Sequence, residues 1–263
     1  MIAEYLAAYD TQLRGTVEVV HAVDVVALGP LILADFDGGR GFISGRDLDG
    51  ADANGLRGLV DAALAHFASR PGIWSVEWKT RSHDHAPGLH DALLERGFAP
   101  EEPESIMIGE ASLLAQDVAL PDGVELRRAR TDDEVLAMER MQGEVFADPD
   151  WRSRAEATIR RLREDESMQL WTAVAAGEVV SAGRLEPVDG TDFAGLWGGA
   201  TRPEWRGRGI YRALTAERAR AALAQGKRYL QSDSTEFSRP ILERSGLVKV
   251  SSTTPYVWTP PLG

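Results

Sequence analysis

Nine consecutive residues, Pro203-Glu204-Trp205-Arg206-Gly207-Arg208-Gly209-Ile210-Tyr211, hold the side chains that a phosphate-binding turn needs. They fall between a predicted strand and a predicted helix. Glycines there let successive N–H groups fold into one concavity, and the helix start adds the positive end of its dipole. Arg206 and Arg208 contribute formal charge. The chemistry is that of a pyrophosphate cradle. The pattern is not a Walker turn, which requires Gly-Lys-Ser/Thr, nor a dinucleotide turn, which requires a third glycine and a later acid. A Gly-x-Gly turn alone can also be a tight turn with two solvated arginines, so the surrounding elements must decide.

Other side chains have types that could react. Glu186 and Asp233 end predicted strands, and Glu236 precedes a short helix. Such carboxylates can accept a proton from an amine, or simply cap a helix or solvate a loop. All five histidines lie in the first half. His83-Asp84-His85 with His90 offers ligand-like groups, but beside Pro87-Gly88 the segment reads as an exposed loop, and no metal is expected. Trp197, Trp205 and Trp258 could line an aromatic acceptor pocket; Trp197 and Trp258 sit on predicted strands, where core packing is the simpler role.

The elements that must position these residues follow from periodicity and turn chemistry. The first half reads as a helix to Arg14, strand-like residues Thr16 to Val26, strands Leu31 to Ala34 and Gly41 to Ile43, and a helix Leu56 to Ala68. A strand Ile73 to Trp78, a helix Leu89 to Arg96 and a strand Ser105 to Ile108 follow. Ala111 to Gly123 is expected to be a linker. Beyond it come a strand Val124 to Arg128 and a helix opened by the capping box Thr131-Asp132-Asp133-Glu134 and running to Phe146. Next is a helix Trp151 to Glu164, whose five arginines suit a solvated face. Strands Leu170 to Ala175, Val179 to Leu185 and Phe193 to Thr201 precede a helix Ile210 to Gln225. Tyr229 to Asp233 is a strand, Arg239 to Arg244 a short helix, and Val248 to Trp258 a strand.

The chain has 263 residues, which favours two domains. There is no cysteine, so disulfides and thiolate chemistry are excluded. The net charge of −12 is uneven: residues 1–120 carry 8 Lys and Arg against 19 Asp and Glu. An acidic chain is a poor nucleic-acid binder, and the acidity favours a cationic small molecule or merely solubility. No apolar run reaches the roughly 20 residues of a membrane span, and the first residues lack a secretory pattern, so a cytoplasmic protein is expected. A homodimer is compatible with the sequence.

The halves repeat an order of helix, strand and short helix. The repeat ends in Leu94-Glu95-Arg96-Gly97-Phe98 and again in Leu242-Glu243-Arg244-Ser245-Gly246-Leu247, which points to internal duplication.

Over residues 124–258 the chain resembles the GNAT superfamily of acyl-CoA-dependent N-acyltransferases. Its Q/R-x-x-G-x-G/A signature maps onto Glu204 to Gly209, with Glu204 departing at the first position. The first half resembles the same fold weakly. It has Asp47, Asp49 and Asp52 where the turn should lie, and those aspartates would repel pyrophosphate. The resemblance implies an α+β (α/β) architecture of two tandem GNAT folds with mixed sheets. Residues 1–120 would be a degenerate copy without a CoA turn, and 121–263 the catalytic domain. It implies an acetyltransferase moving an acetyl or short acyl group from acetyl-CoA to a primary amine of a small molecule or peptide.

Backbone amides of Arg206, Gly207, Arg208, Gly209, Ile210 and Tyr211 would hold the pyrophosphate. Gly199 and Thr201 would pair with the pantetheine arm, and Ser238 would bond it. An N–H near Gly199 or Ala200 would meet the carbonyl oxygen. Glu186, Asp233 and Glu236 are the base candidates. The tyrosine that often protonates the leaving thiolate is replaced by Leu242, leaving Tyr256 or Tyr211 for that task. That replacement also keeps open a non-catalytic acyl-CoA sensor or assembly module.

Overall fold

The computed structural model describes residues 1–260. They form eight α-helices, twelve strands and two short 3-10 turns. The chain divides into two compact units that are not contiguous in sequence. Unit 1 holds Met1–Ile106, Asp233–Glu236 and the residues from Lys249 onward, and unit 2 holds Met107–Ser232 and Phe237–Val248.

Unit 1 starts with α1 (Ile2–Gln12), followed by β1 (Asp24–Leu28), β2 (Leu31–Phe36) and β3 (Arg40–Ser44). Then come α2 (Ala53–Ala68), β4 (Ser75–Arg81), α3 (Leu89–Glu95) and β5 (Ala99–Pro100). β6 (Glu104–Glu110) begins in unit 1 and ends in unit 2. Pairing runs β1-β2-β3 antiparallel, β3-β4 parallel, and β4 antiparallel to the later strand β12 (Val248–Trp258). The parallel step is made possible by the α2 crossover. Leu56, Val60, Ala63 and Phe67 form the buried face of α2 against Val76 and Trp78.

Residues 16–19 are a 3-10 turn rather than strand, although their β-branched types favour a strand. Gly15 (φ 97°) lets the chain reverse, and its N–H donates to the Glu18 carboxylate at 3.1 Å. Glu18 also accepts from Ser44 Oγ at 2.7 Å and pairs with buried Arg81. Tertiary ties therefore override local propensity.

Unit 2 runs α4 (Ala111–Leu114), β7 (Val124–Ala129), α5 (Asp132–Phe146), α6 (Trp151–Glu164), β8 (Gln169–Ala175) and β9 (Glu178–Pro187). β10 (Phe193–Thr201), α7 (Ile210–Ala224), β11 (Tyr229–Ser234) and α8 (Arg239–Ser245) follow, with Asp233 and Ser234 of β11 falling in unit 1. β7 to β10 pair antiparallel in sequence order, and β10-β11 is parallel across the α7 crossover. The expected capping box is present: Thr131 Oγ1 accepts from the Glu134 N–H, and Glu134 accepts from the Thr131 N–H at 2.9 Å. Each unit thus contains two antiparallel steps or more leading to a parallel pair with a helix between. Among the described residues no helix is long and apolar enough to cross a membrane.

Candidate active site

In unit 2, β10 and β11 are paired over only three positions, Phe193↔Tyr229 to Gly195↔Gln231. One further tie follows, from Ser232 Oγ to the Leu196 carbonyl at 2.9 Å. β10 then continues alone on that side to Thr201. Its other edge carries a bulge against β9 between Trp197 and Ala200. Gly198 adopts φ 59° there, which favours glycine. The Gln142 amide on α5 donates to the Gly198 carbonyl. Because a trans peptide is planar, the Gly199 N–H must point away from Gln142. Gln142 escaped the sequence reading, although a Gly-Gly step within a strand is the signal of such a bulge.

The turn after β10 is built as an open cradle. Gly207 and Gly209 have φ of 74° and 81°, and a side chain at Gly207 would enter open space. Gly209 is the N-cap of α7 and places no side chain on the helix's first N–H groups. Arg206 Nε donates to the Thr201 carbonyl at 3.0 Å, fixing the turn to the strand end. Arg208 lies 4.8 Å over the Trp205 ring, which packs against the core beneath α7. Trp205 therefore anchors the turn. The Ile210 side chain is buried in that core, and the Tyr211 ring lies against Gly199, where a Cβ would come within 2.6 Å of Cε2. The Ala200 carbonyl is taken by Ser181 Oγ at 2.7 Å, and Ser181 Oγ also meets Thr201 Oγ1.

Unit 1 shows the opposite arrangement. α2 is N-capped by Asp52, whose carboxylate accepts from the Gly55 N–H at 2.9 Å. At α2 one N–H of the first turn is thus met by a side chain, and α7 has no such side-chain cap.

Arg218 is fully buried on α7 and 5.7 Å from the Tyr211 ring. It donates at 3.3 Å to the carbonyls of Leu214 and Arg184 and to Thr215 Oγ1. Its guanidinium fills the space beside Gly183. Leu242, on α8, is buried in the core with Met107, Leu185 and Leu230. Ser238 is the N-cap residue of α8.

The base candidates divide between the units. Glu186 is in unit 2, paired with Arg161 of α6 at 2.9 Å and with Arg184 of β9. Asp233 and Glu236 are in unit 1, where the Asp233 side chain is 5 % exposed and accepts from Lys79 Nζ at 2.7 Å. Burial alone would lower the Lys79 pKa, but Asp233 and Tyr9 hold the ammonium well above its usual range. Tyr256 is also in unit 1; its hydroxyl meets His90 Nδ1 at 2.7 Å, and burial pushes that phenol up.

The histidine segment is the expected loop only in part: His85 and His90 are exposed, but His83 and Asp84 are tied down. His83 bridges Ser251 Oγ (2.6 Å) and Asp10 (3.0 Å), and Asp84 holds buried Arg14 at 2.7 Å. Among the described residues no group of three His, Asp or Glu could hold a metal ion. The arginines of α6 are likewise partly engaged, Arg154 with buried Glu139 at 2.7 Å.

Comparison with known families finds a likeness over the stretch that contains this turn. An acetyltransferase (GNAT) domain matches residues 122–232. That match covers less than half of the chain and lies within unit 2. Three solved structures show the fold. A GCN5-related N-acetyltransferase from Kribbella flavida is 17 % identical, with a TM-score of 0.70 over 100 % of this chain and 96 % of that one. One from Sphaerobacter thermophilus is 15 % identical, with a TM-score of 0.66 over 88 % and 76 %. A tandem GNAT protein from the clavulanic acid biosynthesis pathway is 13 % identical, with a TM-score of 0.63 over 91 % and 82 %. No curated protein matches the chain.

Proposed function

We propose that this protein is a GNAT enzyme that transfers an acetyl or short acyl group from acetyl-CoA to a primary amine, using unit 2. The observation that carries the reading is the uncapped start of α7, with left-handed Gly207 and Gly209 beside a strand that leaves its parallel partner after three residues. The open space at Gly207 fits a pyrophosphate, and Asp52 at α2 argues against the same role in unit 1. Residues Arg206 to Tyr211 would hold the phosphates through backbone N–H groups and charge. Thr201 would pair with the pantetheine arm through its N–H, since its carbonyl is already taken by Arg206. Ser238 would add a hydrogen bond.

The bound thioester supplies the activated acyl group. The chain must then supply donors for the carbonyl oxygen, and the fixed Gly199 N–H suits that task. Glu186, already flanked by two arginines, is the group proposed to take the amine proton, with Tyr211 as donor to the thiolate; Asp233 and Tyr256 lie in unit 1, engaged with Lys79 and His90, and take no part in this proposal. Acidic residues 1–120 support a small cationic acceptor, and a cytoplasmic setting is proposed with it.

The test is calorimetric titration of acetyl-CoA into the wild type and Gly207→Glu/Gly209→Glu, followed by thiol release with an amine panel. Micromolar binding lost in the double variant, with amine-dependent thiol release, supports the enzyme. Binding without turnover by any amine supports a sensor, a reading favoured by buried Leu242. No binding by folded wild type sinks both.

A further inference from the structure

Unit 1 contains a cavity of about 240 Å³ that acyl transfer in unit 2 does not use. It is bounded by Gly45 and Leu48 after β3, by the end of β4, and by Leu89 and Tyr256.

The backbone groups facing it follow from strand register. The Ser82 N–H donates to the Ser252 carbonyl at 2.9 Å, and Thr80↔Thr254 is the pair two residues earlier. Bonded pairs recur at every second residue of an antiparallel ladder, so Thr80 and Ser82 direct their backbone groups at β12. Lys79 and Arg81 direct theirs at the opposite edge. Pro255, opposite Lys79, agrees with this phase, because its carbonyl turns away to accept from the Glu101 N–H at 2.8 Å. On the edge toward β3, pairing stops at Ile43↔Trp78. The Arg81 carbonyl is taken by the Asp84 N–H at 3.1 Å. The Lys79 carbonyl and the Arg81 N–H have no partner among the described residues, and Arg81 is only 4 % exposed. An unpaired buried N–H is costly enough to be rare.

A carbonyl and an N–H two residues apart on one strand edge are met, in parallel pairing, by the N–H and carbonyl of a single residue. We propose that this cavity binds one α-aminoacyl residue of a short peptide or N-acyl amino acid, which adds to β4 through the Lys79 carbonyl and the Arg81 N–H. Leu48, Trp78 and Leu89 give it an apolar wall for the ligand's side chain. The volume is below the roughly 300–1,000 Å³ of drug-sized pockets, which limits the occupant to about one residue. The proposal is independent of the reaction in unit 2.

The probe is N-acetyl-leucine N-methylamide, titrated into the full chain by calorimetry and by ¹⁵N spectra that report the Arg81 amide. Saturable binding with a shifted Arg81 resonance is expected. The analogue with an ester oxygen in place of the leucine N–H loses one hydrogen bond and should bind about fivefold weaker or worse. The N-acetyl-β-alanine N-methylamide analogue tests spacing: its extra backbone carbon breaks the match, so weaker binding is expected. Ala86→Trp, which fills the cavity wall, should remove binding while acetyl-CoA titration is unchanged. Absence of saturable binding to wild type, an unmoved Arg81 amide, or equal affinity for amide and ester would overturn the assignment.

Discussion

Replacing Gly209 by alanine and by aspartate should lower stability alike but weaken acyl-CoA binding very differently. Gly209 caps α7 with φ 81°, a region that costs an L-residue roughly 1–2 kcal/mol. For a chain of this size that strain lowers Tm by roughly 2–8 °C in either variant. Aspartate also puts one negative charge where the phosphates are proposed to sit. At about 5 Å and an effective dielectric between about 20 and 80, the repulsion is roughly 1–3 kcal/mol. That converts to about a fivefold to hundredfold higher Kd than alanine gives. Such a variant brings to α7 the charge that Asp52 carries at α2, but at φ 81° rather than −73° it lacks the extended backbone from which Asp52 accepts the Gly55 N–H. Scanning calorimetry checks the shared strain, and acetyl-CoA titrations at low and high salt check the charge, whose effect should shrink as salt screens it. Equal Kd values for the two variants, or an aspartate penalty that ignores salt, would refute the anion-site argument.

Three further outcomes are expected. Gly183→Ala should cost about 1–3 kcal/mol by urea unfolding, because a Cβ there would lie 2.7 Å from Arg218 Cζ, and the cost should mostly vanish in an Arg218→Ala background. Glu77→Gln should raise Tm at pH 7: burial raises the Glu77 pKa in the folded state, so stability present at low pH is lost as pH rises through that raised value. The gain should shrink toward pH 4, and a gain of the same size at both pH values would count against it. Glu186→Gln should lower kcat about 100-fold with acetyl-CoA affinity nearly unchanged if Glu186 takes the proton, whereas Asp233→Asn must be read beside its Tm, since it leaves Lys79 in a buried site without its carboxylate.

Much of the local structure was legible because local signals agree with the fold. The spans Trp151–Glu164, Phe193–Thr201 and Val248–Trp258 coincide with α6, β10 and β12, where periodicity and flanking turn residues point the same way. The glycine turn was legible because two left-handed positions leave few residue choices. Residues 16–19 were not, since their conformation is decided by Glu18 meeting Ser44 and Arg81, partners distant in sequence. Nor could local patterns reveal that Asp233 and Lys79 pair across 154 positions, or that Gln142 orients the β10 bulge. Long-range ion pairs and side-chain props leave no periodic trace.

The return of β12 to unit 1 also sets a timetable for biosynthesis. β4 finds its antiparallel neighbour only after residues beyond Lys249 have been made. At about 5–20 residues per second, the stretch from Arg81 to Thr253 takes on the order of ten to thirty seconds to emerge. During that interval one edge of β4 stands without its partner, an opening for mispairing or chaperone capture in the nascent chain. Slowing translation between these two points should therefore lower the soluble yield more than slowing it within residues 1–80.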